Sequence, residues 1–250
     1  MKIRKGIYIL PSLFTTGNIF CGFYTFVAVL NEEFYLAAWA IVLAIVFDGL
    51  DGRVARLTKT TSKFGVQFDS LADIISFGMA PAFMVFSWKL KPFGRIGWMA
   101  AFLFLICGAL RLARFNTMKS DEDEDGYFNG LPIPGAAAVI ASIVILSEDR
   151  IFTQFPPVFL VVIVYVLAFL MVSNIKYPAF KKVGLKARVP FARFLFVVLV
   201  FYLFATIPRL ALAFVSFSYA LFGPLRFLVL VVRKKTAPNT SATRNRPEKF

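Results

Sequence analysis

Apolar residues in this chain come in long unbroken runs, near 8–30, 35–53, 70–88, 96–114, 133–147, 157–174, 191–206 and 209–232. A helix of about 20 mostly apolar residues spans a hydrocarbon core. Backbone N–H and C=O groups in lipid must be paired within their own segment, so each run is expected to be helical. A barrel would require alternation of apolar and polar positions, and these runs do not alternate. The pattern therefore predicts an all-α integral membrane protein, a polytopic bundle with six helices in its core and about two further helices after a basic linker. The fifth and seventh runs are short for a span. The expected organisation is a membrane core over 1–180, the linker and two additional helices over 181–235, and a polar, basic tail over 236–250 whose composition is that of a disordered segment. The basic start, Lys2, Arg4 and Lys5, with an apolar stretch reaching Leu30, imitates a secretory signal. Its length and the lack of a small-residue cleavage site favour a retained first span. No internal repeat is evident.

The charges between the runs orient them. With the N-terminus inside, the inner segments hold 23 Lys and Arg residues and the outer ones 5. That asymmetry follows the positive-inside rule, with Lys89, Lys91 and Arg95 running against it. It places both termini on the cytoplasmic side of the cell membrane. It also accounts for the net charge of +14 through topology and attraction to anionic membrane lipids, without a nucleic acid partner. The chain is 59% hydrophobic and contains no histidine. Ser-His-Asp triads, Cys-His dyads, imidazole proton shuttles and His-ligated zinc are thereby excluded. Cys21 and Cys107 both lie inside apolar runs and are expected to pack rather than react.

One stretch departs from the apolar background. Asp48 and Asp51 close the second run, and Asp69 and Asp73 open the third. An Asp at the centre of a span costs roughly 2.5–3.5 kcal/mol on insertion scales, so four of them need a compensating partner. Asp48 and Asp51 are three residues apart and Asp69 and Asp73 four, so each pair occupies one face of its helix. Two antiparallel helices would point the pairs at each other. Converging carboxylates without histidine favour hard divalent cations, Mg²⁺ or Mn²⁺, and such ions bind phosphates. Gly49, Gly52 and Ala55 keep the second helix thin enough for a nucleotide to approach, and Arg56 can make forked contacts to phosphate oxygens. Thr58, Thr60, Thr61 and Ser62 offer hydroxyls in the linker. The plainer alternatives are that the acids pair with Arg53 and Arg56, or line an ion pathway.

The string D-x2-D-G-x2-A-R-x8-G-x3-D-x3-D runs without a gap from Asp48 to Asp73. It resembles the signature of the CDP-alcohol phosphatidyltransferases, integral membrane enzymes of phospholipid synthesis. The resemblance implies a core of six helices, usually a homodimer, opening to the cytoplasm. It implies that Asp48, Asp51, Asp69 and Asp73 bind metal, as two ions, and that Asp73 also accepts the proton of the attacking alcohol. Gly52, Arg56 and Ser62 match positions that contact the CDP moiety, and Thr15 and Asn18 in the first helix are a looser match to the nucleotide site.

Three further strings are similar to the branch of that family whose acceptor is L-serine. They are Arg111 to Asn116, Phe128 to Ala136, and Ser173 to Pro178, and the stretch from Pro11 to Asn18 fits the same branch. That branch transfers the phosphatidyl group of CDP-diacylglycerol to serine, giving phosphatidylserine and CMP. Read from the residues themselves, Arg111 and Arg114 are three apart at the inner end of the fourth run. They are either interfacial anchors or, with Asn116, a site for an amino-acid carboxylate or a lipid phosphate. Gly130 to Gly135 reads as a tight lead into the fifth helix. Lys176 and Tyr177 read as interfacial anchors, and the acidic run Asp121 to Asp125 as a solvated inner loop. The rivals are an acceptor of the glycerol 3-phosphate or inositol phosphate type and, from a different class, a divalent-cation transporter.

Overall fold

The structure, a computed structural model, describes residues 9–58, 62–117, 127–148, 156–178 and 191–236. Its first two helices, α1 (Ile9–Leu30) and α2 (Phe34–Thr58), form an antiparallel pair joined by a tight turn. The buried face of α2 sets Ala37, Ala38, Ala40 and Ala44 around Ile41, and the small side chains let the helices approach closely.

The third apolar run is one helical path with changing pitch. α3 (Lys63–Asp73) begins at Ser62, whose hydroxyl oxygen accepts the Gly65 N–H at 2.9 Å. A π-helical stretch, Ile74–Met79, follows, then α4 (Ala80–Val85), a second π stretch, Phe86–Leu90, and a 3₁₀ turn, Lys91–Phe93. Each wide stretch ends beside a proline. Pro81 and Pro92 have no N–H for the carbonyls of Phe77 and Trp88. The preceding turns bond five residues back instead, Ala80 N–H to the Ile75 carbonyl and Lys91 N–H to the Phe86 carbonyl. Gly94, at φ +53°, then turns the chain into α5 (Gly94–Thr117), which packs back along this run.

A short ribbon follows on the end of the bundle that carries α5's C-terminus. β1 (Tyr127–Asn129) pairs antiparallel with β2 (Lys176–Pro178), with Phe128 opposite Tyr177. Between them lie α6 (Ile133–Ser147) and α7 (Pro157–Val172). Gly130, at φ +78°, turns β1 towards α6, and Pro132 caps that helix, as the Gly- and Pro-rich string predicts. α6 is the central helix: from Ala136 to Ile145 only one residue escapes full burial, enclosed by α2, α7 and the last helix. Outside the bundle, Phe20, Phe102, Phe169 and Phe214 are well exposed, the surface expected of a lipid-facing helix bundle. Cys21 and Cys107 are buried free thiols, as expected.

α8 (Phe191–Thr206) packs chiefly on α9 (Pro208–Thr236), but α9 is attached to the core along its length. Arg209 lies over the Tyr35 ring at 5.2 Å, and the hydroxyls of Ser216 and Ser142 meet at 3.1 Å. At its far end the contact is with Tyr177. Contrary to the expectation of an interfacial anchor, Tyr177 is fully buried, and its hydroxyl donates to the Ala220 carbonyl at 3.0 Å. Pro224 explains this bond. It stands four residues after Ala220 inside α9 and has no N–H, so the Ala220 carbonyl loses its helical partner. The Tyr177 hydroxyl takes that place. Burial, with Tyr219 beside it, pushes the Tyr177 phenol up to about 12, which keeps it a donor at physiological pH. Gly223 leaves room for the ring, since a Cβ there would lie 2.3 Å from it.

The basic segment 179–190, the acidic run Asp121 to Asp125 and the tail 237–250 lie outside the described residues.

Tyr177→Phe is expected to cost about 1–3 kcal/mol, the penalty for stranding a buried carbonyl. In a Pro224→Ala background, where the restored N–H serves Ala220, the same change is expected to cost much less. Thermal unfolding of the four proteins in detergent measures the coupling, and strictly additive losses count against it.

Candidate active site

The acids meet where α2 ends and α3 begins. One carboxylate oxygen from each of Asp48, Asp69 and Asp73 lies within 4.8 Å of the other two. Oxygens on opposite sides of one Mg²⁺ are about 4.2 Å apart, so this trio is close to the spacing that a single ion imposes. Oδ1 of Asp73 is buried with no hydrogen-bond partner among the described residues. A buried carboxylate oxygen without a donor is costly unless a cation faces it. The donor set and the orphaned oxygen together fit a hard divalent ion. When bound, such an ion neutralises charge on phosphate oxygens.

The fourth aspartate is held differently. Asp51 is buried and accepts a hydrogen bond from the Thr15 hydroxyl on α1. It lies within electrostatic reach of Asp48 and Asp73, so it belongs to the same charged locus at one remove from the trio. Thr15 thus acts on an acid of the cluster. Asn18, one turn further along α1, is fully buried, and both polar atoms of its side chain lack a partner among the described residues. A buried carboxamide can both donate to and accept from a polar group placed beside it. Its backbone carbonyl accepts the Ser76 hydroxyl at 2.9 Å, which ties α1 to the π stretch directly after Asp73. Sequence reasoning missed Ser76, because a lone serine in an apolar run carries no signal of its partner.

Gly52 is half-buried on α2 beside Asp51. The side chain of Arg56 lies outside the described residues, as do Thr60 and Thr61. Ser62 caps α3, a role that fixes where the helix carrying Asp69 and Asp73 begins.

The cationic string on α5 divides its work. Arg111 is buried and within electrostatic reach of Asp73. Arg114, one turn on, donates to the carbonyls of Asn129, Val172 and Ser173 at 3.0, 3.2 and 3.3 Å and to Oδ1 of Asn174 at 3.2 Å. It clamps the ribbon and the end of α7 to α5. Asn116 Nδ2 donates to the Ser70 hydroxyl at 2.9 Å and so joins α5 to α3. The geometry brings Arg111 towards the acids, and gives Arg114 and Asn116 bonds that hold the surrounding elements together.

The apolar helices and the facing acids at the ends of α2 and α3 describe a membrane-embedded protein with a carboxylate cluster suited to a divalent ion. Comparison with known proteins agrees. The family model of the CDP-alcohol phosphatidyltransferases matches residues 8–173, and the chain belongs to that family. It is 42% identical over 238 residues to the CDP-diacylglycerol–serine O-phosphatidyltransferase of Helicobacter pylori, covering 94% of this chain and 98% of that one. A protein of the same name from Methanocaldococcus jannaschii is 32% identical over 228 residues, covering 91% and 98%. One from Bacillus subtilis is 36% identical over 173 residues, covering 69% and 92%.

Mn²⁺ at about 100 times its dissociation constant is expected to stabilise the protein by about 2.7 kcal/mol. Asp48→Asn or Asp69→Asn is expected to remove that shift. Thermal unfolding with and without Mn²⁺ tests it, and an undiminished shift in both variants rules the trio out as the site.

Proposed function

We propose that the protein transfers the phosphatidyl group of CDP-diacylglycerol to the hydroxyl of L-serine, releasing CMP. The observation that carries this reading is the convergence of Asp48, Asp69 and Asp73, inside the gap-free acidic string, in a chain similar over nearly its whole length to enzymes named for that reaction.

The acyl chains stay in lipid while the CDP head lies against α2 and α3. Asp48, Asp51, Asp69 and Asp73 would hold two Mg²⁺ or Mn²⁺ ions, whose positive charge would be available to the pyrophosphate. Arg56 shares that charge from α2, Gly52 leaves the space beside it, and Ser62 sets the start of α3 within reach of the nucleotide. Thr15 and Asn18 line the nucleotide side from α1, and the unpartnered carboxamide of Asn18 supports that role. Asp73 takes the proton of the serine hydroxyl. The serine oxygen then bonds to the phosphorus that carries diacylglycerol, and the bond from that phosphorus to the CMP oxygen breaks. Positioning and electrostatics supply the acceleration, since the protein forms no bond of its own in this direct transfer. Arg111 receives the serine carboxylate, and Arg114 and Asn116 keep its surroundings in place.

The distribution of 23 inner and 5 outer basic residues supports an inner-membrane protein with both termini and the acids on the cytoplasmic side, where serine is available. A homodimer follows the family pattern. The machinery lies within residues 1–180, with 181–235 adding α8 and α9 and 236–250 a basic tail.

Purified protein with CDP-diacylglycerol and Mn²⁺ or Mg²⁺ is expected to release CMP only when serine is added. Release with glycerol 3-phosphate or inositol phosphate instead overturns the acceptor, and metal uptake into liposomes without turnover favours a transporter. Asp73→Asn is expected to lower kcat by about 10²–10⁴-fold with CDP-lipid affinity nearly kept. A fully active variant removes Asp73 as the base. Arg56→Ala is expected to weaken CDP-lipid binding, and unchanged affinity counts against its phosphate role.

A further inference from the structure

One cleft of the structure lies apart from the acids. It opens between the start of β2 and α9 and is lined by Asn174, Ile175, Lys176, Gly223, Arg226 and Phe227. None of the four aspartates, and no other acid among the described residues, belongs to that lining. Two cations enter it from separate elements. Successive side chains of a strand point to opposite faces, so Tyr177 goes inward beneath α9 and Lys176 outward, where it is exposed. On α9, Gly223, Arg226 and Phe227 are three and four residues apart and share one face. Two tyrosines fix that face against the ribbon. The Tyr177 ring fills the space at Gly223, and the Tyr219 hydroxyl donates to the Pro178 carbonyl at 3.4 Å. Asn174 adds an amide. Its Oδ1 accepts from Arg114 at 3.2 Å, and its other end, an NH₂ group, only donates.

Position and size limit what the cleft can hold. The stretch of α9 long and apolar enough to cross a membrane is Pro208–Val229, which puts Arg226 in its last turn. Arg233, Lys234 and Lys235 follow soon after. The cleft therefore sits where hydrocarbon gives way to headgroups. Its rim is apolar and open, with Leu225, Phe227 and Leu228 each more than half exposed. Its volume is about 160 Å³. Sites that enclose a drug-sized ligand are larger, roughly 300–1,000 Å³. A phosphate with part of its glycerol fits, and a nucleotide or a pair of acyl chains does not. We propose that this cleft binds the phosphate of an anionic membrane phospholipid. Lys176 and Arg226 meet the phosphate oxygens, Asn174 is a third donor, and the acyl chains lie over Phe227 along the outer side of α9. Charge-assisted bonds from two elements hold the phosphate, and basic residues at the end of a span favour anionic headgroups. A lipid bound there touches both β2 and α9, and so clamps the ribbon to the turn that Pro224 interrupts. This binding is separate from the transfer chemistry and does not depend on serine as the acceptor.

The test uses the full-length protein in detergent, without CDP-diacylglycerol or serine. Dioleoylphosphatidylglycerol or dioleoylphosphatidylcholine is titrated in mixed micelles, and native mass spectrometry counts the lipid retained. Phosphatidylglycerol is expected to bind about tenfold more tightly than phosphatidylcholine, whose own cation meets Lys176 and Arg226. Lys176→Gln and Arg226→Gln are each expected to weaken phosphatidylglycerol binding about tenfold, the loss of one contact to a charged group. Lys235→Gln removes the same charge outside the cleft and is expected to leave the affinity close to wild type. Equal binding of the two lipids, or unchanged affinity in both cleft variants, overturns the proposal. So does an equal loss in Lys235→Gln, which marks diffuse attraction to a basic surface. Inorganic phosphate is expected to displace the lipid poorly, and an affinity for it that matches the lipid's overturns a lipid as the occupant. If Arg226→Gln does not fold, Lys176→Gln, a change to an exposed side chain, decides alone.

Discussion

Aspartates wholly or partly buried in an apolar bundle are the constraint on which this structure depends. A carboxylate removed from water must find a cation or a donor, and three of them within 4.8 Å of each other also repel. The fold meets this by ending α2 and beginning α3 at the same place, so that one locus gathers the acids from both helices. Thr15 brings α1 to Asp51, and Asn116 brings α5 to α3 through Ser70. The helix ends around the site are thus joined by polar bonds at the depth where apolar packing alone would leave the acids unserved.

A second constraint acts on the opposite flank. Pro224 breaks the hydrogen-bond ladder of α9, and the buried carbonyl of Ala220 that this frees is served by Tyr177 from a ribbon of six residues. The small ribbon consequently joins α5, α7 and α9, through Arg114 on one side and the two tyrosines on the other. Two prolines do related work in the third run, where Pro81 and Pro92 each follow a widened π stretch. The first of these stretches places Ser76 against the backbone of Asn18, just beyond Asp73. Proline in this chain does more than end helices. It opens backbone groups that neighbouring elements then use.

The helices were readable because lipid permits so little else. Each of the eight apolar runs falls on a helical segment, although the third helical path begins well before its run, at Lys63, and the π stretches inside it were not foreseen. The acids were readable because charge in a span is rare and their spacing put each pair on one face. The ribbon was not, since three-residue strands show no alternation and one ends in proline. Arg114 and Tyr177 also escaped. An arginine at the end of a span is equally compatible with a lipid phosphate or a cluster of carbonyls, and a tyrosine near a span end with an interface or a buried cap.

Sequence by itself determined that this is a membrane helix bundle with four aspartates at the facing ends of two spans, and through its motif the family to which it belongs. Those properties depend on local composition and on spacing within single helices. Only the tertiary structure decided that Asp48, Asp69 and Asp73 form the tight trio while Asp51 is tied to Thr15. It also decided that Arg111 is buried within electrostatic reach of Asp73 while Arg114 holds the ribbon, and that α9 packs into the core. These outcomes depend on which side chain stands opposite another across helices far apart in the chain, and neither periodicity nor hydropathy carries that information.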